Sequence, residues 1–370
     1  MNRFRLYLFS AFLTLAFNVQ GAGASPTELS APPSAGTVIR IGLLDFESEA
    51  SYLGRQENIQ ETIIGYLRNN LAGLRIVTRF YTTEGLSRAV RKGEVEFFLG
   101  SSGFFVEMRP YGVRDIGTIT SKSFPNPNQC VAGVMFVRKD RTDLTDLASL
   151  KGRRAATTAV RNFMTYQLNL GEIAFAGYDP DRFFRSVIET DNKPAEVMRA
   201  VAEGRADVGL LRACMPEALE AKYPQWRGLF RVVNEHAGPT AERLGCGYST
   251  DMYPGWTLAA SPHVPPVITR HVAVKLLGMD PNDTASGFSV SLATEFDRVN
   301  ALFRAVRSGP YAYLREWTVT GNLPNLSPWR FPSLFRRLTR CPSPEVLRGN
   351  GHPFECSKRA TFFRMQVRYL

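Results

Sequence analysis

Short apolar runs recur along this chain, and most are followed by a stretch with apolar residues at helical spacing. Residues 38–45 (VIRIGLLD) read as a buried strand. Over 51–71, Ile59, Ile63, Ile64, Leu67 and Leu71 fall on one helical face. Residues 74–81 (LRIVTRFY) and 95–99 predict further strands, and 83–91 and 103–111 further helices. This β-α-β-α-β-α order implies a parallel sheet with helices on its faces. A second series follows, with strands at 130–139, 154–158, 184–189, 206–211 and 229–234. Its helices fall at 144–150, 163–175, 193–203 and 216–222. A strand at 257–260 and helices at 265–277, 294–308 and 311–317 complete the pattern. The long strands 130–139 and 229–234 flank the second series, and we expect them to be paired crossovers between two lobes.

One segment of this pattern occurs twice. Residues 88–99 read RAVRKGEVEFFL and residues 199–210 read RAVAEGRADVGL. Arg88, Ala89, Val90, Gly93, Glu96 and Leu99 align with Arg199, Ala200, Val201, Gly204, Asp207 and Leu210. Each copy predicts a helix end, a left-handed Gly stop, a polar turn and a strand covered on both faces. The repeat of Glu96 at Asp207 suggests a structural role for both carboxylates. Two similar α/β halves in one chain suggest a ligand cleft between them.

The 370 residues suffice for two domains with cores of their own. Residues 1–24 read as a signal peptide: a basic start to Arg5, an apolar stretch from Leu6 to Val19, and a small-x-small site at Ala22–Ala24. A membrane anchor is the alternative, for which the apolar stretch is short. Residues 25–37 (SPTELSAPPSAGT) read as a disordered leader. Lobe 1 is expected at 38–129 plus 235–317, lobe 2 at 130–234, and a basic Cys-containing tail at 318–370. The net charge of +11 is concentrated in that tail. Residues 328–370 hold nine Arg or Lys against Glu345 and Glu355, whereas 25–327 hold 34 basic and 32 acidic residues. A basic tail suits an anionic surface or plain solvation, and export leaves no nucleic acid to meet. The five cysteines match no zinc spacing. Export favours disulfides, expected as Cys214–Cys246 and, within the tail, Cys341–Cys356, with Cys130 left as a small buried residue.

The segments GEVEFFLGSSGFFVEM (93–108), SLKGRRAATTAVRNFMTYQLNLGEI (149–173), GRADVGLLRACMPEALE (204–220), STDMYPGWTLAASPHVPP (249–266) and SGPYAYLREW (308–317) carry a family resemblance over about 38–317. The chain resembles the phosphate/phosphite/phosphonate ABC-transporter substrate-binding family. Within it, the chain is similar to the sensor domain of tetrathionate-sensing histidine kinases. The resemblance implies an α/β fold of two lobes, the type 2 periplasmic binding protein fold, with two parallel-rich sheets joined by two crossover strands. It also implies a monomer and a small oxyanion held at helix N-termini, where unsatisfied N–H groups and the dipole favour negative charge.

Ser101 and Ser102 precede one such helix, and Asn162 and Thr165 open another; all four also suit helix capping. Arg212 ends the repeat strand, where it pairs an anion bidentately or forms a salt bridge to an acid such as Glu217. Tyr253 and Trp256 wall the cleft or pack at the lobe interface. Glu47, Ser48 and Glu49 follow the first strand and suit a helix cap or a cationic part of a ligand. A sparse Ser/Thr content at 162–165 weakens the case for phosphonate itself and favours another anion. A redox-active Cys214–Cys246 pair for a sulfur oxyanion is a sharper alternative to a structural bridge.

Three functional classes follow. The first is an exported, periplasmic solute-binding protein that presents its anion to a transporter permease or a membrane sensor kinase. The second is a stand-alone sensory input domain without its kinase. The third, an enzyme, is disfavoured: the four His fall in no nucleophile–base–acid or metal signature, and no GxSxG occurs. No cofactor is expected.

Overall fold

The computed structural model describes residues 36–44, 57–282 and 287–315. The expected signal peptide, leader and basic tail, together with Glu47, Ser48, Glu49, Cys341 and Cys356, lie outside the described residues. The strands are β1 (Thr37–Leu44), β2 (Leu74–Tyr81), β3 (Phe97–Ser101), β4 (Arg114–Ser121), β5 (Gly133–Arg138) and β6 (Arg154–Thr157). They continue with β7 (Ser186–Glu189), β8 (Val208–Arg212), β9 (Phe230–Val233), β10 (Trp256–Ala260) and β11 (Phe288–Ser291). Two sheets result, in the orders β11-β4-β10-β3-β1-β2 and β7-β6-β8-β5-β9. The first sheet and its helices form lobe 1, the second lobe 2.

The two sheets share one plan. In lobe 1, β1 lies parallel between β2 and β3; in lobe 2, β6 lies parallel between β7 and β8. The fourth position is filled antiparallel in both, by β10 and by β5. The sheets are therefore mixed, where the strand–helix alternation implied a parallel sheet. In each case the reversed strand pairs with one far from it in sequence, β10 with β3 and β5 with β8, which alternation along the chain does not report.

The sequence repeat maps onto this plan. Helix Thr83–Lys92 begins at Thr82, whose side-chain oxygen accepts from the Gly85 amide at 3.1 Å, and ends at Gly93 in the left-handed region (φ 71°). Its counterpart, helix Pro194–Ala202, gives way to Gly204 at φ 72°. A residue with a Cβ is strained there, which fixes Gly at both stops. Glu96 then accepts from the Arg40 backbone amide at 2.7 Å and from its guanidinium, while the Glu96 amide donates to the Arg40 carbonyl at 2.9 Å. Asp207 does the same with Arg154, at 2.9 Å for the amide and 3.0 Å for Nε, and the Asp207 amide donates to the Arg154 carbonyl at 2.8 Å. Each carboxylate thus clamps the strand that follows it, β3 or β8, to its parallel neighbour, β1 or β6.

The expected crossovers are corrected by the topology. β5 and β9 do pair, antiparallel, but both belong to the lobe 2 sheet. The chain passes between lobes through 122–132 and 234–255. These two passages meet at an antiparallel bridge between Val131 and Tyr253. Beside it, Asn128 Oδ1 accepts from the Thr294 and Glu295 amides at 2.8 and 3.0 Å.

A third element spans both lobes. Helix Phe296–Ala305 packs on helix Ser102–Met108 of lobe 1 and helix Leu168–Phe175 of lobe 2. The second contact is close: a Cβ on Gly171 would stand 2.7 Å from Leu302 Cδ1. Past the helix, Arg307 and Arg315 each reach Asp181 of lobe 2 at 2.9 Å. One apolar cluster accordingly draws on both lobes and on this helix, including Phe98, Phe104, Met135, Phe163, Val299 and Phe303.

Candidate functional site at the lobe interface

The site is built from strand-to-helix junctions. In lobe 1, β3 runs directly into helix Ser102–Met108, and Ser101 is the cap: its Oγ accepts from the Phe104 amide at 3.1 Å. Ser102 is fully buried and donates its hydroxyl to the Pro254 carbonyl at 2.5 Å, while its amide donates to the Gly255 carbonyl at 3.0 Å. Both serines therefore act within the protein, one as a helix cap and one as a tie to the returning chain.

In lobe 2, β6 leads through a loop to a π-helical turn, Phe163–Gln167, and then to helix Leu168–Phe175. Asn162 caps the turn, its Oδ1 accepting from the Met164 and Thr165 amides at 3.0 and 3.2 Å. Thr165 is fully buried, with its hydroxyl 2.6 Å from that of Thr158. Asn169 donates to the carbonyls of Thr165 and Leu211 at 2.8 and 3.0 Å, which ties this turn to β8. It fits because residue 133 is Gly; a Cβ there would stand 2.6 Å from Asn169 Oδ1.

Arg212 is the last residue of β8, half-buried and in register with Gly133. Asn169 thus links the turn that Asn162 caps, at Thr165, to Leu211, the residue before Arg212. Two residues beyond Arg212, Cys214 adopts the left-handed region (φ 64°) and is disulfide-bonded to Cys246. Glu217 in the helix that follows accepts from the Gly247 amide at 3.1 Å, a second tie to the same loop. Cys130 is a free cysteine, its thiol pushed up to about 12 by burial. That acidity makes it a poor nucleophile.

Tyr253 belongs to the returning passage. It is buried, with its hydroxyl pushed up chiefly by burial, and the Arg298 guanidinium lies 5.4 Å from its ring centre. Its neighbours Pro254 and Gly255 receive the Ser102 bonds, so it stands beside the lobe 1 junction. Ser249 and Thr250 of the same segment hold lobe 2, accepting from the Met135 and Gly133 amides at 2.9 Å each. Among the described residues, no group of three or more His, Cys, Asp or Glu is placed to hold a metal ion.

Three features at the interface were not singled out from the sequence. Phe163 lies on Gly103, and Arg161 pairs with Glu84 across the lobes. Glu107, on the helix after Ser101, has its carboxyl pushed up to about 7 by burial, against the pull of Arg161. The Gly directly after a Ser–Ser cap was the one available signal, since a bare helix turn invites close approach.

Two mixed sheets joined by paired passages, with capped junctions meeting between them, define a two-lobed protein of the type 2 periplasmic binding class. A family model for the ABC-transporter phosphonate periplasmic substrate-binding protein matches residues 55–301, and the chain belongs to that family. A binding protein component of an ABC phosphonate transporter from Pseudomonas aeruginosa superposes with a TM-score of 0.53 at 14% identity. That match covers 90% of this chain and 100% of the other. PhnD1 of Prochlorococcus marinus, in complex with methylphosphonate, gives 0.52 at 12% identity, over 73% of this chain and 98% of the other. The tetrathionate sensor histidine kinase TtrS of Salmonella typhimurium is 22% identical over 272 residues, 73% of this chain. The matched region is 44% of that kinase, so this chain spans less than half of its relative. Among the described residues, no helix is long and apolar enough to cross a membrane.

Proposed function

We propose that this is an exported, periplasmic solute-binding protein that closes its two lobes on a small oxyanion and presents it to a membrane partner. The observation that supports the reading is the position of Arg212 at the end of β8, next to Leu211, whose carbonyl Asn169 ties to the capped 162–165 turn. A guanidinium there supplies two parallel donors to a tetrahedral anion. Asn162 and Thr165 complete the lobe 2 side, with Ser101, Ser102 and Tyr253 as its lobe 1 border. The two serines shape that border through bonds already made within the protein, so direct contacts fall mainly to lobe 2. The protein acts as a monomer and is not an enzyme in this reading, and the Cys214–Cys246 bridge holds the Arg212 loop.

The partner is a transporter permease or a sensor kinase. The match to TtrS favours the second as an alternative: a sensory input module of a two-component system. The test is thermal unfolding of the full chain against phosphate, phosphite, methylphosphonate, sulfate, thiosulfate and tetrathionate. At 100 times its dissociation constant an anion adds about 2.7 kcal/mol, which raises the midpoint by roughly 5–10 °C. We expect one anion class to give that shift, Arg212→Ala to abolish it and Arg212→Lys to retain part of it. No shift with any of the six sinks the oxyanion reading.

A further inference from the structure

Two contacts join the lobes through a single short segment of lobe 2. Phe163 lays its ring on the first turn of helix Ser102–Met108 in lobe 1. A Cβ on Gly103 would stand 2.5 Å from Phe163 Cγ and Cδ2, so ring and backbone are in direct contact and no larger residue fits at 103. The ring is 5% exposed and lies 5.7 Å, centre to centre, from Phe303 of the helix that spans both lobes. Two residues earlier, the Arg161 guanidinium forms an ion pair with Glu84, in the first turn of helix Thr83–Lys92 of lobe 1. Residues 161–163 therefore offer lobe 1 an apolar wedge and a charged latch from one loop.

We propose that Arg161 and Phe163 fill the space between the lobes from within the chain and hold lobe 1 and lobe 2 together independently of any solute. Buried interface aromatics carry a large share of binding energy, and Phe163 packs on Gly103 between the two lobes of its own chain. The exposed ion pair adds a smaller, salt-sensitive share. A solute entering between the lobes has to displace the ring, so its apparent affinity falls by the fraction of molecules already open. The holding contact rests on no ligand; only this last consequence relies on the solute-binding reading above.

Amide hydrogen exchange of the full chain, without any anion, tests the proposal. In Phe163→Ala, amides of 102–106 and 163–168 should exchange at least roughly tenfold faster, while those of Phe97–Leu99 and Val208–Leu210 keep their wild-type rates. Unchanged exchange at both junctions overturns the wedge. Equal acceleration in the sheet strands also overturns it, because Phe163 is then an ordinary core residue. The surface pair gives a variant that folds whatever the wedge does. Glu84→Arg should speed exchange at the same junctions about two- to threefold, and adding Arg161→Glu should restore it. Failure of the double reversal to restore protection removes the latch. With no anion present, these outcomes are independent of the thermal-shift panel.

Discussion

Lobe 1 and lobe 2 are built on the same frame and finished differently at their inner ends. In both, a helix stops at a left-handed Gly, and a carboxylate clamps the strand after it to an Arg on the neighbouring parallel strand. After that strand the lobes part. Lobe 1 continues through Ser101, a conventional cap with extended backbone (φ −64°, ψ 155°). Lobe 2 continues through Cys214, which makes no side-chain cap bond, sits in the left-handed region and is bridged to Cys246. The junctions diverge in what holds them: Ser101 caps its own helix, whereas Cys214 is tied to Cys246.

The sharpest way to break this comparison is the bridge, which lobe 1 lacks. Its sulfurs join residues 32 apart in sequence. Loss of a crosslink of that span costs about 3–4 kcal/mol on loop-closure grounds. Cys214→Ala/Cys246→Ala should therefore lower denaturant stability by that order. In exchange measurements the loss should concentrate in β8 and helix Met215–Lys222, leaving β3 near wild type. A loss spread evenly over both lobes would deny that the bridge is local to lobe 2.

A half-buried carboxylate follows the third strand from the edge in each lobe, and the two should respond differently to pH. Glu107 is pushed up to about 7 by burial; Glu217 is pushed up for the same reason but accepts from the Gly247 amide. A carboxyl raised in the folded state favours folding below its unfolded pKa, and that advantage is lost as pH rises through the folded value. Wild-type stability should fall between about pH 4.5 and 7 from Glu107, by at most about 3 kcal/mol. Glu107→Gln should flatten this part of the profile. Glu217→Gln should weaken the tie to Gly247 and cost stability across the range. Urea unfolding from pH 4.5 to 8 separates them.

The clamps offer the finest distinction. Asp207 accepts from Arg154 and also from Arg141 at 2.9 Å, and these guanidinium bonds hold its carboxyl far below the usual range. For Glu96, burial works upward, yet its bonds from Arg40 hold it below the usual value. Asp207→Asn should cost about 2 kcal/mol and Glu96→Gln about 1 kcal/mol, on the scale of charged hydrogen bonds. Both costs are present at neutral pH and vanish as pH falls through the folded-state values. Equal costs would show that the second arginine adds nothing.

Much of the frame was legible in the chain. β2 occupies the expected 74–81, and helix Thr83–Lys92 exceeds its expected span by one residue. Both have strong periodicity and sharp stops. β4 was missed because its inward residues include Gly117, Thr118 and Thr120 in place of a run of aliphatics. Gly117 makes room for Val290, and Thr118 meets Thr257 hydroxyl to hydroxyl at 3.3 Å, so a cross-strand polar pair replaces the apolar signal. β11 (FSVS) is short and half polar for similar reasons. At the interface, the capping residues could be read locally, because a cap concerns its own helix. Phe163 against Gly103 and Arg161 against Glu84 could not, since each pairs residues about 60 to 80 positions apart on different lobes. The sensing of one lobe by the other is written in pairs, and a single sequence shows only their halves.

The order of strands also sets the order of assembly. β10 lies between β3 and β4, and Leu258 stands opposite Leu99. All of lobe 2, through β9, is synthesised before β10 appears. As the chain emerges from its N-terminus, β3 and β4 wait with an unfilled slot between them, while lobe 2 has every strand it needs once Val233 is out. The later lobe in space is thus the earlier to mature in time. The sheet of β1 to β4 stays unfinished until the passage through Tyr253 returns to close it.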